Sequence, residues 1–137
     1  MSLPTNPIAC AFLVASVLVS GCGSGGGPDG EENDEPTPAS KITFDTGRLD
    51  ERGLAGPPDG LRSLMYEFCI PRDSARIADV RAIDPSVRVY PGSPGRIGCR
   101  ADQALCIGET HQPGWRDVLD RLAGLAWIER IDESYAE

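Results

Sequence analysis

The sequence predicts an α+β domain in which two helices cover one face of a four-stranded antiparallel sheet. Three observations carry that expectation. Leu64, Tyr66, Phe68 and Ile70 alternate with Met65, Glu67 and Cys69, which is the period of a strand with one buried face. Trp115, Val118, Leu119, Leu122 and then Leu125 or Ala126 recur at i, i+3, i+4, i+7 spacing, the apolar stripe of a helix. Between and after them, short alternating runs punctuated by Gly and Pro leave room for one more helix and three more strands.

The elements follow in order. Lys41-Ile42-Thr43-Phe44-Asp45 alternates and predicts a short leading strand. Thr46 to Arg62 carries Gly47, Gly53, Gly56 and the turn signal Pro57-Pro58-Asp59-Gly60, and predicts a loop. Leu64 to Ile70 is the clearest strand, ended by Pro71. Asp73 or Ser74 caps a helix from Ser74 to Ile83, with Ile77, Val80 and Ile83 on one stripe. Asp84-Pro85 closes it, because the residue before a proline avoids the helical region. Ser86 to Tyr90 is a second strand with Val87 and Val89 inward. Pro91 to Gly95 bends, Arg96-Ile97-Gly98 resumes the strand, and Cys99 to Gln103 turns. Ala104 to Gly108 is a third strand, with Leu105 and Ile107 on one face and Cys106 on the other. Pro113 suits the first position of the second helix. Trp127 to Asp132 closes the chain as a strand whose Ile128 and Ile131 break strict alternation, which predicts a bulge or an edge. The order β-α-β-β-α-β resembles the ferredoxin-like arrangement, a split pair of βαβ units. That arrangement implies an open outer sheet face, here carrying Met65, Glu67, Cys69 and Cys106.

Composition narrows the function. The chain has 137 residues and a formal charge of −8. Residues 41–137 hold all 13 bases against 16 acids, which argues against a nucleic-acid binder, since such a protein shows a basic stripe. Cys69, Cys99 and Cys106 fit an oxidising compartment and are disulfide candidates. Cys69 and Cys106 fall on neighbouring strands and the same face. Cys99 and Cys106 flank a turn and would close a short loop at low entropic cost. Cys106 is the shared partner of both pairings. An alternative gathers Cys69, Cys99, Cys106 and His111 into a metal or thiol-redox site, since sulfur and imidazole suit zinc or copper. The spacing contains no C-x-x-C pair, so no metal or cofactor is assigned. His111, the sole histidine, reads as a loop residue at a helix start. Ser93 and Asp84 lack a nucleophile motif around them, and no catalytic residue is assigned. Arg88, Arg96 and Arg100 could form a small anion patch, but read first as a solvated face.

The beginning of the chain gives an address. Ile8 to Val19 is an apolar run that suits the core of a signal peptide and is too short to span a bilayer. It ends in Val19-Ser20-Gly21-Cys22. This tetrapeptide resembles the lipobox of bacterial lipoproteins, in which the cysteine is lipidated and the leader removed before it. Met1 to Asn6 has no Lys or Arg, and Cys10 has no apolar run before it, so Cys22 is the lipidation candidate. Gly23 to Ser40 is rich in Gly and then in Glu and Asp, with no large apolar residue. It predicts a disordered tether with a reach of roughly 25 Å as a Gly-rich coil. The expected organisation is a leader over residues 1–21, anchor and tether over 22–40, and one small domain over 41–137. The resemblance implies a cell-envelope lipoprotein, held by its lipid on the outer membrane and facing the periplasm, with an unidentified envelope protein as partner.

Val118-Leu119-Asp120-Arg121-Leu122-Ala123, followed by Trp127-Ile128-Glu129-Arg130-Ile131-Asp132-Glu133, is similar to the closing helix and strand of subtilisin propeptide domains. That likeness implies a protease inhibitor or chaperone as an alternative, and carries no functional residue with it. The first expectation remains a non-enzymatic binding or assembly module.

Overall fold

A computed structural model describes residues 36–135. The leader, Cys10, Cys22 and the tether as far as residue 35 lie outside the described residues. The described chain begins with one helical turn, α1 (Pro38–Lys41). A small hairpin follows, β1 (Leu54–Ala55) with β2 (Arg62–Ser63). The main elements are β3 (Met65–Pro71), α2 (Ser74–Ile83), β4 (Arg88–Pro91), β5 (Gln103–Glu109), α3 (Trp115–Ala123) and β6 (Ile131–Ser134). The four longer strands form one sheet in the order β4-β5-β3-β6, and every neighbouring pair is antiparallel. The domain is therefore α+β.

Local chemistry explains most boundaries. The Asp73 carboxylate accepts from Ala75 N at 2.7 Å and starts α2. Asp84 is extended, as the residue before Pro85 must be, and ends it. In α3 the buried residues are Trp115, Val118, Leu119, Leu122 and Ala123, the stripe the spacing predicts. Its start differs. Pro113 lies in a turn, and Gly114, at φ 66°, supplies the left-handed bend that points the helix back over the sheet.

The core occupies one face of the sheet. Tyr66, Phe68 and Ile70 of β3, Ala104 and Cys106 of β5 and Ile131 of β6 meet Val80 of α2 and the stripe of α3. Burying the larger of these, Phe68, Ile70, Ile131 and Val80, contributes about 1.5–3 kcal/mol each. Only Val80 of α2 is fully buried, with Ile77 and Ile83 packed at its margin.

Four expectations are corrected. The leading strand over Lys41–Asp45 reduces to a single bridge, Ile42 with Ile131, because Pro38–Lys41 is helical. The long loop before β3 contains a short 3-10 turn and the β1–β2 hairpin. Residues Arg96 to Gly98 form a turn rather than resumed strand. The last strand begins at Ile131, because Trp127 to Arg130 are used in leaving α3 and Ile128 fills the core from that turn.

The most consequential correction concerns β5. Phe68 pairs with Cys106 and Cys69 with Leu105. Cys106 thus faces the core, and Leu105 and Ile107 face outward, the reverse of the expected assignment. The large inner side chains of β3 leave space only for the small Ala104, Cys106 and Gly108 beside them.

Candidate functional site

The outer sheet face is the candidate site, and it is not open along its length. The connection from β4 to β5 folds back over it. Within this segment Gly98 N and Cys99 N both donate to Pro94 O, at 3.0 and 2.7 Å. Ile97 N donates to Oε1 of Glu67 at 2.7 Å. Gly95, at φ 60°, lies so close to Leu105 that a Cβ there would stand 2.6 Å from its methyl carbon. Arg130 Nη2 donates to Ile97 O at 2.8 Å from the β6 side. The cover leaves Glu67 and Leu105 each only 3% exposed. Leu105 and Cys99 are buried outside the main core, in this second layer.

A disulfide between Cys69 and Cys99 fastens the cover, with 5.4 Å between the alpha carbons. Neither expected bridge to Cys106 is formed. Cys106 is a free thiol, buried on the core side of the sheet, because successive residues of a strand point to opposite faces. Burial, with Asp84 adding to it and Arg81 opposing, pushes its pKa up to about 12. His111 is also apart, exposed with Nδ1 3.1 Å from Arg52 O. The proposed constellation of Cys69, Cys99, Cys106 and His111 is therefore not assembled. Among the described residues, no group of His, Cys, Asp and Glu is placed to hold a metal ion.

On the core side, polar groups gather around Asp84 and serve the fold. Tyr66 OH donates to Oδ2 of Asp84 at 2.5 Å. Ser86 donates to Oδ1 through its N–H at 2.9 Å and its hydroxyl at 2.6 Å. Gln112 Nε2 adds a bond to the same oxygen at 3.1 Å and another to Glu109 O at 2.8 Å. Burial, reinforced by the neighbouring Asp84 carboxylate, holds the Tyr66 phenol well above its usual pKa. Nearby, Thr110 Oγ1 donates to Gly53 O at 2.6 Å and accepts from Leu64 N at 2.9 Å. The bonds at Asp84 tie the end of α2, the start of β4 and the loop after β5 together, and those at Thr110 tie that loop to the residues just before β1 and β3. Among the described residues, no buried side-chain polar atom is left without a partner.

The outer face is uncovered at its far end. Met65, Arg88, Tyr90, Ile107 and Glu109 surround a depression of about 240 Å³. Tyr90 is 42% exposed, and Met65 and Ile107 are half-buried. An aromatic ring and two aliphatic chains between an arginine and an acid suit contact with another polypeptide. Of the expected anion patch, Arg100 is engaged by Asp102 at 3.6 Å and Glu129 at 3.4 Å. Ser93 lies in the β4–β5 connection, away from Asp84 on the core side. Sequence reasoning missed Tyr90 as a surface aromatic, having read its strand only for its inward valines. The cover itself left a signal in Gly92, Ser93, Pro94 and Gly95, too many turn-formers for a tight hairpin.

Among the described residues no helix is long and apolar enough to cross a membrane. The chain matches no protein-family model, no curated protein and no solved structure.

Proposed function

We propose that this chain is a lipid-anchored lipoprotein of the cell envelope, whose domain is a non-enzymatic binding or assembly module of ferredoxin-like arrangement. The Cys69–Cys99 disulfide is the observation that carries the reading. Such bonds persist in exported proteins and are rare in reducing compartments, which agrees with the leader and its Val19-Ser20-Gly21-Cys22 end. The strand order β4-β5-β3-β6 with antiparallel neighbours supports the fold assignment. The surface between Tyr90, Ile107 and Met65 supports binding of a polypeptide. The polar cluster around Asp84 makes its hydrogen bonds within the fold, as a structural cluster does.

Metabolic labelling with an alkynyl fatty acid tests the anchor. The wild type should be labelled and fractionate with the outer membrane, and Cys22→Ser should lose the label. Label retained by Cys22→Ser would refute it. Crosslinking from Tyr90 in the envelope tests the module: an envelope partner is expected, and an exported subtilisin-like protease captured there would move the reading to the propeptide kind.

A further inference from the structure

The disulfide does not staple the core. Cys69 points away from it, Cys99 belongs to the cover, and neither is part of the main apolar cluster. What the bond holds is the segment 92–99 against the outer face. Beside it, Ile97 makes two hydrogen bonds, Gly95 lies against Leu105, and Arg96 also has a partner. The sheet beneath keeps its own hydrogen-bonded ladder from Met65–Glu109 to Pro71–Gln103. The main core lies on the opposite face of that sheet.

The bond is also approachable. A cleft of about 190 Å³ opens onto Cys69, lined by Ile97, Gln103, Glu129, Arg100 and Arg130. Cys69 is half-buried, whereas Cys99 is 8% exposed. Arg100 lies 3.4 Å from Glu129, and Arg130 Nε lies 3.2 Å from Asp132. Both guanidinium groups of the cleft are thus paired with carboxylates, which holds their side chains along its wall.

We propose that Cys69–Cys99 is a redox latch, opened by a dithiol reductant entering this cleft, and that opening uncovers the Glu67–Leu105 half of the outer face while the core stays folded. One thiolate of the dithiol attacks Cys69 Sγ. The Cys69–Cys99 bond breaks, and Cys99 leaves as a thiolate that takes up a proton. The second thiol of the dithiol, losing its proton, then attacks the mixed disulfide and releases Cys69. The protein gains two electrons and two protons, and the dithiol becomes a disulfide. Attack at Cys69 places the leaving sulfur on the segment that can move away. The newly exposed surface is continuous with the patch at Met65 and Ile107, so the latch sets how much of the outer face a partner can reach.

Hydrogen exchange of the full chain, followed by mass spectrometry with and without dithiothreitol, tests the latch. After reduction, amides of 95–99 should exchange at least about tenfold faster, with Tyr66–Ile70 and Leu119–Leu122 changed by less than about twofold. Iodoacetamide should then label Cys69 and Cys99, with Cys106 still protected. Cys99→Ser should reproduce the fast exchange of 95–97 without reductant. Unchanged protection of the cover after reduction would overturn the proposal. So would exchange of core and cover together, labelling of Cys106 alongside the other two, or a Cys99→Ser chain that does not fold. The result stands apart from the anchor, since none of these readouts involves Cys22.

Discussion

Replacing Gly108 by alanine tests how tightly the buried polar cluster is built into the sheet. A Cβ at this position would lie 2.5 Å from Oδ2 of Asp84 and 2.7 Å from two ring carbons of Tyr66. Carbon contacts settle near 3.5–4.0 Å, so these neighbours must retreat by roughly 1 Å. Asp84 and Tyr66 are both fully buried, and neither is a flexible chain end. If the ring moves, the core is overpacked, at about 1–3 kcal/mol. If the carboxylate turns, it loses its bonds to Tyr66 and Ser86, and a charged hydrogen bond is worth about 1.5–3 kcal/mol. The two routes compete, and the expected loss is about 3 kcal/mol. For a domain of this size that lowers Tm by roughly 12–24 °C. Urea unfolding followed by tryptophan fluorescence should show a lower midpoint with the slope unchanged. In an Asp84→Ala background the same alanine should cost at least about 1 kcal/mol less, since the two sites share a contact. A loss under about 0.5 kcal/mol, or equal losses in both backgrounds, would refute the reasoning.

Peptide mapping of the unreduced protein should find Cys69 joined to Cys99 and Cys106 as a thiol that resists alkylation until the protein unfolds. Because the folded state keeps the Cys106 proton up to about 12, against a reference of 9.0, its contribution to stability is fully present below pH 9.0 and is lost progressively as pH rises from there to about 12; urea midpoints across that window should fall less in Cys106→Ala. Asp50 gives the opposite dependence. Its Oδ1 accepts from Leu54 N at 2.9 Å and Arg52 N at 2.8 Å, and these backbone bonds, that to Leu54 foremost, hold its carboxyl below the usual range. The stability it adds is present above the ordinary carboxylate range and lost as pH falls through the lowered value. Carboxyl NMR titration should place Asp50 below the ordinary aspartate value of 3.8, and Asp50→Asn should flatten the acid limb of the stability curve.

Where local chemistry decides, the sequence was legible. The Asp73 cap and the Asp84-Pro85 stop delimit α2 at Ser74–Ile83, and the period of two in β3 identifies its buried side. The face of β5 was not legible. Leu105 and Ile107 look like inward residues on local grounds, yet Leu105 is buried from outside, by the cover formed by residues 92–99. A strand covered on both faces loses the contrast on which periodicity depends. The disulfide follows from the same register. Cys69 falls opposite Leu105 and Cys106 opposite Phe68, a one-residue distinction that reverses the face and is set by the neighbouring strand. The candidate patch was half visible. Met65 was placed on the outer face, but which residues the cover leaves free depends on contacts between Gly95, Ile97 and Glu67, distant in sequence and joined only in three dimensions.

The bridge between Ile42 and Ile131 bears on how these molecules meet one another. A sheet edge offers unpaired amides and carbonyls to any passing strand. At β6 that offer is partly withdrawn: Thr43 N takes the Ile131 carbonyl at 3.0 Å, and Thr43 Oγ1 binds Asp132 at 3.0 Å. The opposite edge, β4, is four residues long and ends in Pro91, which has no amide hydrogen to give. With one margin partly covered by its own chain and the other cut short, the sheet resists growing sideways into its neighbours. High concentration would then bring the molecules together without turning them into a continuous sheet.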